Sequence, residues 1–136
     1  MTPEMTAAIA AGGILLLVVI GVTAKKAPIK RINQEYFRKH WMELLTKVKT
    51  PEGMVLAVIE ADKLLDEALK RRRFSGKTMG ERLVAAQRTL ADNDAVWYAH
   101  KLRNRLVHEP GTRLKESEAK AALAGFRQAL RDLGAL

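Results

Sequence analysis

Residues 101–110 read KLRNRLVHEP. The stretch places Arg103, Asn104 and His108 close together, just before Pro110 stops the chain from continuing as a helix. A histidine can accept and release protons near neutral pH. Arginine offers a planar fork that suits phosphate oxygens. An asparagine amide can donate or accept a hydrogen bond and so orient either neighbour. Without metal ligands, this kit suits cleavage of RNA through its own 2′-hydroxyl. Histidine would move the proton, and arginine would stabilise charge on the phosphorus oxygens. Arg103, Asn104 and His108 are therefore the candidate catalytic residues. Lys101 and Arg105 on the same stretch, and His100 just before it, are candidates for holding substrate.

The bland alternative is that these residues are the polar trim of a helix end, where a cation such as His108 suits the dipole. At about 100° per residue, Ala95, Ala99, Leu102 and Leu106 form one stripe, which reads as the core side. His100, Asn104 and His108 follow on the opposite side. They are expected to face solvent, a ligand or a second subunit. Trp97, Val96 and Val107 also lie off the core stripe, which suggests that this second face is covered, as a symmetric dimer would cover it. Arg103 and His108 are about 140° apart around the helix. A cleft between two copies of the helix would bring them together.

The elements that must position these residues read as helices. No segment alternates with period two, so no strand is expected. Residues 30–49 place Ile32, Tyr36, Phe37, Leu44 and Val48 at helical spacing. This basic amphipathic helix either packs its apolar stripe into a core or lays Trp41 and Tyr36 on a lipid surface. Thr50-Pro51-Glu52 is a helix start, with a cap, a proline at the first position and an acid in the first turn. That helix is expected to reach about Arg72, burying Val55, Val58, Ile59, Leu65 and Leu69. Lys70-Arg71-Arg72-Arg73 suits its C-terminal dipole, with phosphate binding as the sharper option. Its acids Glu60, Asp62 and Asp66 are expected to be solvated or to bridge to Lys63 and Lys70. Glu60 or Asp66 pairing with Arg103 is the alternative. Thr78-x-x-Glu81 is a capping box opening a helix to about Leu90. Gly76-Lys77-Thr78 is not a phosphate-binding loop, because Arg71 stands where that motif needs glycine and no strand precedes it. Residues 91–94 cap the motif helix. The last helix spans Glu116 to Leu133, with Gly134 as its stop.

Composition sets the class. The chain has 136 residues, a formal net charge of +9 and no cysteine. One small domain and an anionic partner are expected, while disulfides and cysteine-ligated metals are excluded. His40, His100 and His108 show no metal-ligand spacing, so no metal and no cofactor are expected. Residues 6–24, TAAIAAGGILLLVVIGVTA, carry no charge and approach the roughly 20 residues a bilayer span needs. The preceding MTPEM lacks the positive charge of a signal peptide, and Lys25, Lys26, Lys30 and Arg31 follow the run. The expectation is a short exterior N-terminus (1–5), a transmembrane helix (6–24) and a basic juxtamembrane linker (25–29). A cytoplasmic all-α bundle of four or five helices (30–136) follows, the whole held in the cell membrane by one pass.

The pattern from Arg103 to His108, an arginine, four residues and a histidine with a polar residue directly after the arginine, resembles the HEPN domain family. VIEADKLLDEALKRRRFSGKTMGERL and WYAHKLRNRLVHEPGTRL are similar to uncharacterised bacterial, single-pass membrane-anchored HEPN-like proteins. The resemblance covers most of residues 30–136. It implies a helical bundle and a metal-independent endoribonuclease built at a homodimer interface. Arg103 and His108 would be its main site residues and Asn104 would support them. It also implies the alternative of a non-catalytic, membrane-tethered module that binds RNA, a nucleotide or a protein. A nucleotidyltransferase partner is a further implication.

Overall fold

The computed structural model describes residues 31–136. The expected exterior N-terminus, membrane span and linker lie outside the described residues. Among those described, no helix is long and apolar enough to cross a membrane.

The described chain is five helices: α1 (Gln34–Leu45), α2 (Pro51–Arg71), α3 (Met79–Ala85), α4 (Asn93–His108) and α5 (Glu116–Asp132). No strand occurs among the described residues, as the lack of two-residue periodicity implies. The helix starts follow their caps. Thr50 accepts from the Gly53 amide with Pro51 at the first position. Thr78 and Glu81 form the reciprocal capping box of α3. Asp92 accepts from the Ala95 amide at 3.0 Å and opens α4. Two expected helices are shorter than their patterns. α1 starts only at Gln34, where Asn33 caps it, and ends in turns after Leu45. α3 stops at Ala85 rather than near Leu90. The turns that follow are tied to the start of α4, where Asn93 Nδ2 donates to the Gln87 carbonyl at 2.9 Å, and Ala86 and Leu90 are both buried.

The long helix α2 packs against each of the other four, and α4 and α5 pack on one another. The core holds Phe37, Trp41 and Leu44 of α1, Val58, Leu65 and Leu69 of α2, and Phe126 and Leu130 of α5. Each of these large apolar side chains contributes about 1.5–3 kcal/mol by leaving water. Trp41 is buried, so α1 uses its apolar stripe for the core and does not lay this side chain on lipid. Val55 and Ile59, expected in the buried stripe of α2, are only half covered. Ala57, Ala61 and Ala68 take the inner positions and let neighbouring helices come close. The tightest approach is at Gly125. A side-chain carbon there would lie 2.7 Å from the Ala95 carbonyl oxygen, so glycine sets how closely α5 approaches α4.

Helices α2 and α5 end side by side, and both close by bringing a residue to positive φ. At the end of α5, Gly134 (φ 77°) donates to Arg131 O while Ala135 donates to Leu130 O. At the end of α2, Arg73 (φ 61°) donates to Lys70 O while Phe74 donates to Leu69 O. A side chain in this conformation costs about 1–2 kcal/mol that glycine avoids.

Candidate functional site

The motif residues sit on α4, but not all on one open face. His100 is buried, with 8% of its surface exposed. Its Nδ1 donates to Asp62 Oδ1 of α2 at 2.8 Å. Asp62 is itself 3% exposed. Asn104 presents its amide Nδ2 to His100 Nε2 at 3.5 Å. Arg103 Nη1 donates to Asn104 Oδ1 at 3.0 Å. The Arg103 Nε lies 3.4 Å from Asp62 Oδ2. That is close enough for charge attraction but too poorly aimed for a hydrogen bond, so this buried N–H lacks a true acceptor. The four side chains form a ring: Arg103 to Asn104, Asn104 to His100, His100 to Asp62, and Asp62 back to Arg103 by charge.

This corrects the expected two-sided helix. Helix α4 packs on α2 as well as on α5, so its buried arc is wide. Val96 and His100 belong to that arc and do not await another subunit. Trp97 is covered from within, because Gly80 of α3 lies against its ring, 3.5 Å from where a side-chain carbon would start. Trp97 also meets the His100 ring edge-on, with centroids 6.0 Å apart. Of the three residues off the core stripe, only Val107 stays exposed, at 45%.

The other candidates lie on the outer surface. His108, the last residue of α4, is exposed. Its side chain makes no hydrogen bond or ion pair among the described residues. Lys101 is exposed too. Arg105 is 3.5 Å from Glu118 of α5 and largely solvated. The structure thus gathers Arg103, Asn104 and His100 around Asp62. It leaves His108 and Lys101 outside that ring and turns Arg105 toward α5.

Asp62 is the member that sequence reasoning set aside as a solvated acid. Its spacing did carry a signal, since it follows Val58 by four residues and precedes Leu65 by three. An acid inside an apolar stripe calls for a buried partner. The acids expected as alternatives are otherwise engaged. Glu60 bridges to Lys47 at 2.5 Å. Asp66 takes a two-pronged bond from Arg82 at 2.7 and 3.0 Å, and Lys70 approaches it at 3.4 Å. Burial pushes the Asp66 carboxyl upward, but the bonds and charge of Arg82 and Lys70 outweigh it and hold the pKa below its ordinary value of 3.8. Tyr36 donates to Glu67 at 3.0 Å, and this bond to a carboxylate raises the phenol's pKa. Among the described residues, no three His, Asp or Glu side chains converge as metal ligands.

Arginine has five N–H donors. Arg103 gives one to Asn104 and aims Nε poorly at Asp62, and its side chain is 23% exposed. The guanidinium is therefore anchored at one edge and free to offer its other edge to an anion. A groove of about 570 Å3 runs between α1 and α5, and neither Arg103 nor His108 lines it.

The chain matches no family model, no curated protein and no solved structure.

Proposed function

We propose that the chain is a membrane-tethered, HEPN-like RNA-processing protein whose site is the outer end of α4. Arg103 binds and stabilises the phosphate, Asn104 orients Arg103, and His108 transfers the proton. The observation that supports this most is the state of Arg103. It is held by Asp62 and Asn104 on one side, yet keeps unused donors and partial exposure five residues before the exposed His108 on the same helix. His108 does not join the ring within one subunit, so the reading requires a second copy to complete the cleft. Exposed Val107, and exposed Leu56 at the start of α2, lie at the same end of the bundle and suit an apolar contact between copies.

A second reading has its own observation. The ring of Asp62, His100, Arg103 and Asn104 closes on itself inside one subunit, as a structural polar network does. On that reading α4 belongs to a non-catalytic binding module, and His108 is dispensable. The two readings separate on one assay. The full chain in mild detergent is incubated with mixed-sequence RNA in EDTA, and new ends bearing 2′,3′-cyclic phosphate are counted. Cutting that disappears in His108→Ala supports the enzyme. RNA binding without cutting, unchanged in His108→Ala, supports the module.

A further inference from the structure

The bundle has two unlike ends. Helices α2 and α5 finish at the end where α1 begins. Gln34 Nε2 donates to Gly134 O at 3.0 Å, and Arg72 Nη1 donates to Leu133 O at 3.0 Å. The Arg71 guanidinium lies 4.4 Å from the centre of the Tyr36 ring. Arginines crowd this end. Arg31 and Arg72 line one polar recess there with Asn33 and Gln34. Arg38 and Arg131 line the upper part of the α1–α5 groove, where Met42 is 63% exposed. Of the acids nearby, Glu67 is engaged by Arg71 and Tyr36 and Asp132 by the Ala91 amide and Gln128, and Glu35 in the first turn of α1 is the one left exposed and unpaired among the described residues, so the cations outnumber it. Among the described residues no carboxylate pairs with Arg31, Arg38, Arg72, Arg73 or Arg131.

Arg73 adds an independent observation. It occupies a left-handed position in the same closing motif that the neighbouring helix end completes with Gly134. The chain keeps a cation where glycine would relax the backbone, which points to a use for that charge.

We infer that this end of the bundle, centred on Arg31, Arg38, Arg73 and Arg131, docks on the anionic phospholipid headgroups of the membrane surface. The inference rests on reading residues 6–24 as a membrane span. The reach of the chain selects lipid over other polyanions. Seven steps separate Ala24 from Arg31, so even a fully extended segment holds this end within about 25 Å of the apolar run. That segment contributes Lys25, Lys26 and Lys30 as well. Each cation close to an anionic bilayer adds to the attraction. Docked this way, α4 points its C-terminal end away from the bilayer. His108 then sits about 24 Å, the length of sixteen helical residues, beyond the membrane-facing end. The lipid surface and the candidate RNA site occupy opposite ends of one small body.

The test uses the full chain in lipid nanodiscs made of phosphatidylcholine alone or with phosphatidylserine. Hydrogen exchange is followed in residues 31–38, 69–75 and 131–136. The expected result is co-elution with both discs and slowed exchange in these segments only on the anionic ones. A variant combining Arg38→Gln, Arg73→Gly and Arg131→Gln should lose that protection, about fivefold per charge, with exchange in α4 unchanged. Co-elution with both discs and equal exchange overturns docking and leaves the span standing. Co-elution with anionic discs alone supports docking and removes the span. Co-elution with neither overturns both. Protection produced by added RNA on neutral discs, and not by anionic lipid, assigns the surface to RNA and overturns the inference.

Discussion

Asp62 and Asp66 stand one turn apart on α2, and each faces an arginine from another helix. Their pairs differ. Arg82 grips Asp66 through Nε and Nη2 at 2.7 and 3.0 Å, and its Nη1 donates to Gly76 O at 2.8 Å. Only 9% of that side chain is exposed. Arg103 stands 3.4 Å from Asp62 with no true hydrogen bond, and 23% of it is exposed. Arg82 has committed all three of its side-chain nitrogens to the fold, pinning α3 and the loop before it to α2. Arg103 has kept most of its own. The same pair of residue types serves as a structural clamp in one place and as a held but available cation in the other. Fold and candidate function part between these two turns of one helix.

The comparison sharpens through substitution. Arg82→Ala removes the partner of a largely buried carboxylate and should cost about 3 kcal/mol of stability. Arg103→Ala should cost about 1 kcal/mol, because it makes no true hydrogen bond to Asp62 and His100 still donates to that buried carboxylate. Chemical denaturation of both variants measures the gap, and equal losses would erase the distinction. Gly125→Ala forces α5 away from the Ala95 carbonyl and should cost about 2 kcal/mol by overpacking. It should also disturb the packing of α4, so RNA binding should weaken along with stability. Loss of stability with intact RNA binding would detach the site from that contact.

Asp62→Asn keeps the shape but removes the charge that anchors Arg103. It should cost about 1.5 kcal/mol. On the proposed reading it also lowers cutting while leaving His108 accessible to chemical modification. The smallest effect is on acid stability. The folded-state pKa of Asp66 is depressed, so its contribution is present above the ordinary carboxylate value and is lost as pH falls from about 4 through the folded value. Asp66→Asn should therefore lose stability at neutral pH and show a shallower decline below pH 4 than the parent chain. Parallel acid profiles would remove Asp66 from that account.

Much of the fold was legible because caps are local. Thr50, Thr78, Asp92 and Gly134 act through their own or adjacent turns, and each marks its boundary in the structure. The end of α3 was not legible, because the turns after it are held by Asn93, which belongs to the next helix. The candidate site was legible in part. Arg103 and Asn104 are neighbours with a shared bond, as their adjacency suggests. His100 was misplaced because a helical wheel assumes one buried side, whereas α4 lies between α2 and α5 and is flanked by α3 at Trp97. Asp62 was discounted because a charge among neighbouring lysines looks solvated until the partner helix is known. The separation of His108 from the ring follows from spacing alone, since five residues place it about 140° from Arg103.

The most direct test of the central claim is RNA cutting in EDTA by three full-length proteins: the parent chain, Arg103→Ala and Arg82→Lys. The account predicts new 2′,3′-cyclic phosphate ends from the parent chain and from Arg82→Lys at temperatures where it is folded. It predicts none from Arg103→Ala, which should be folded under the same conditions. Undiminished cutting by folded Arg103→Ala, or no cutting by the folded parent chain, would contradict it.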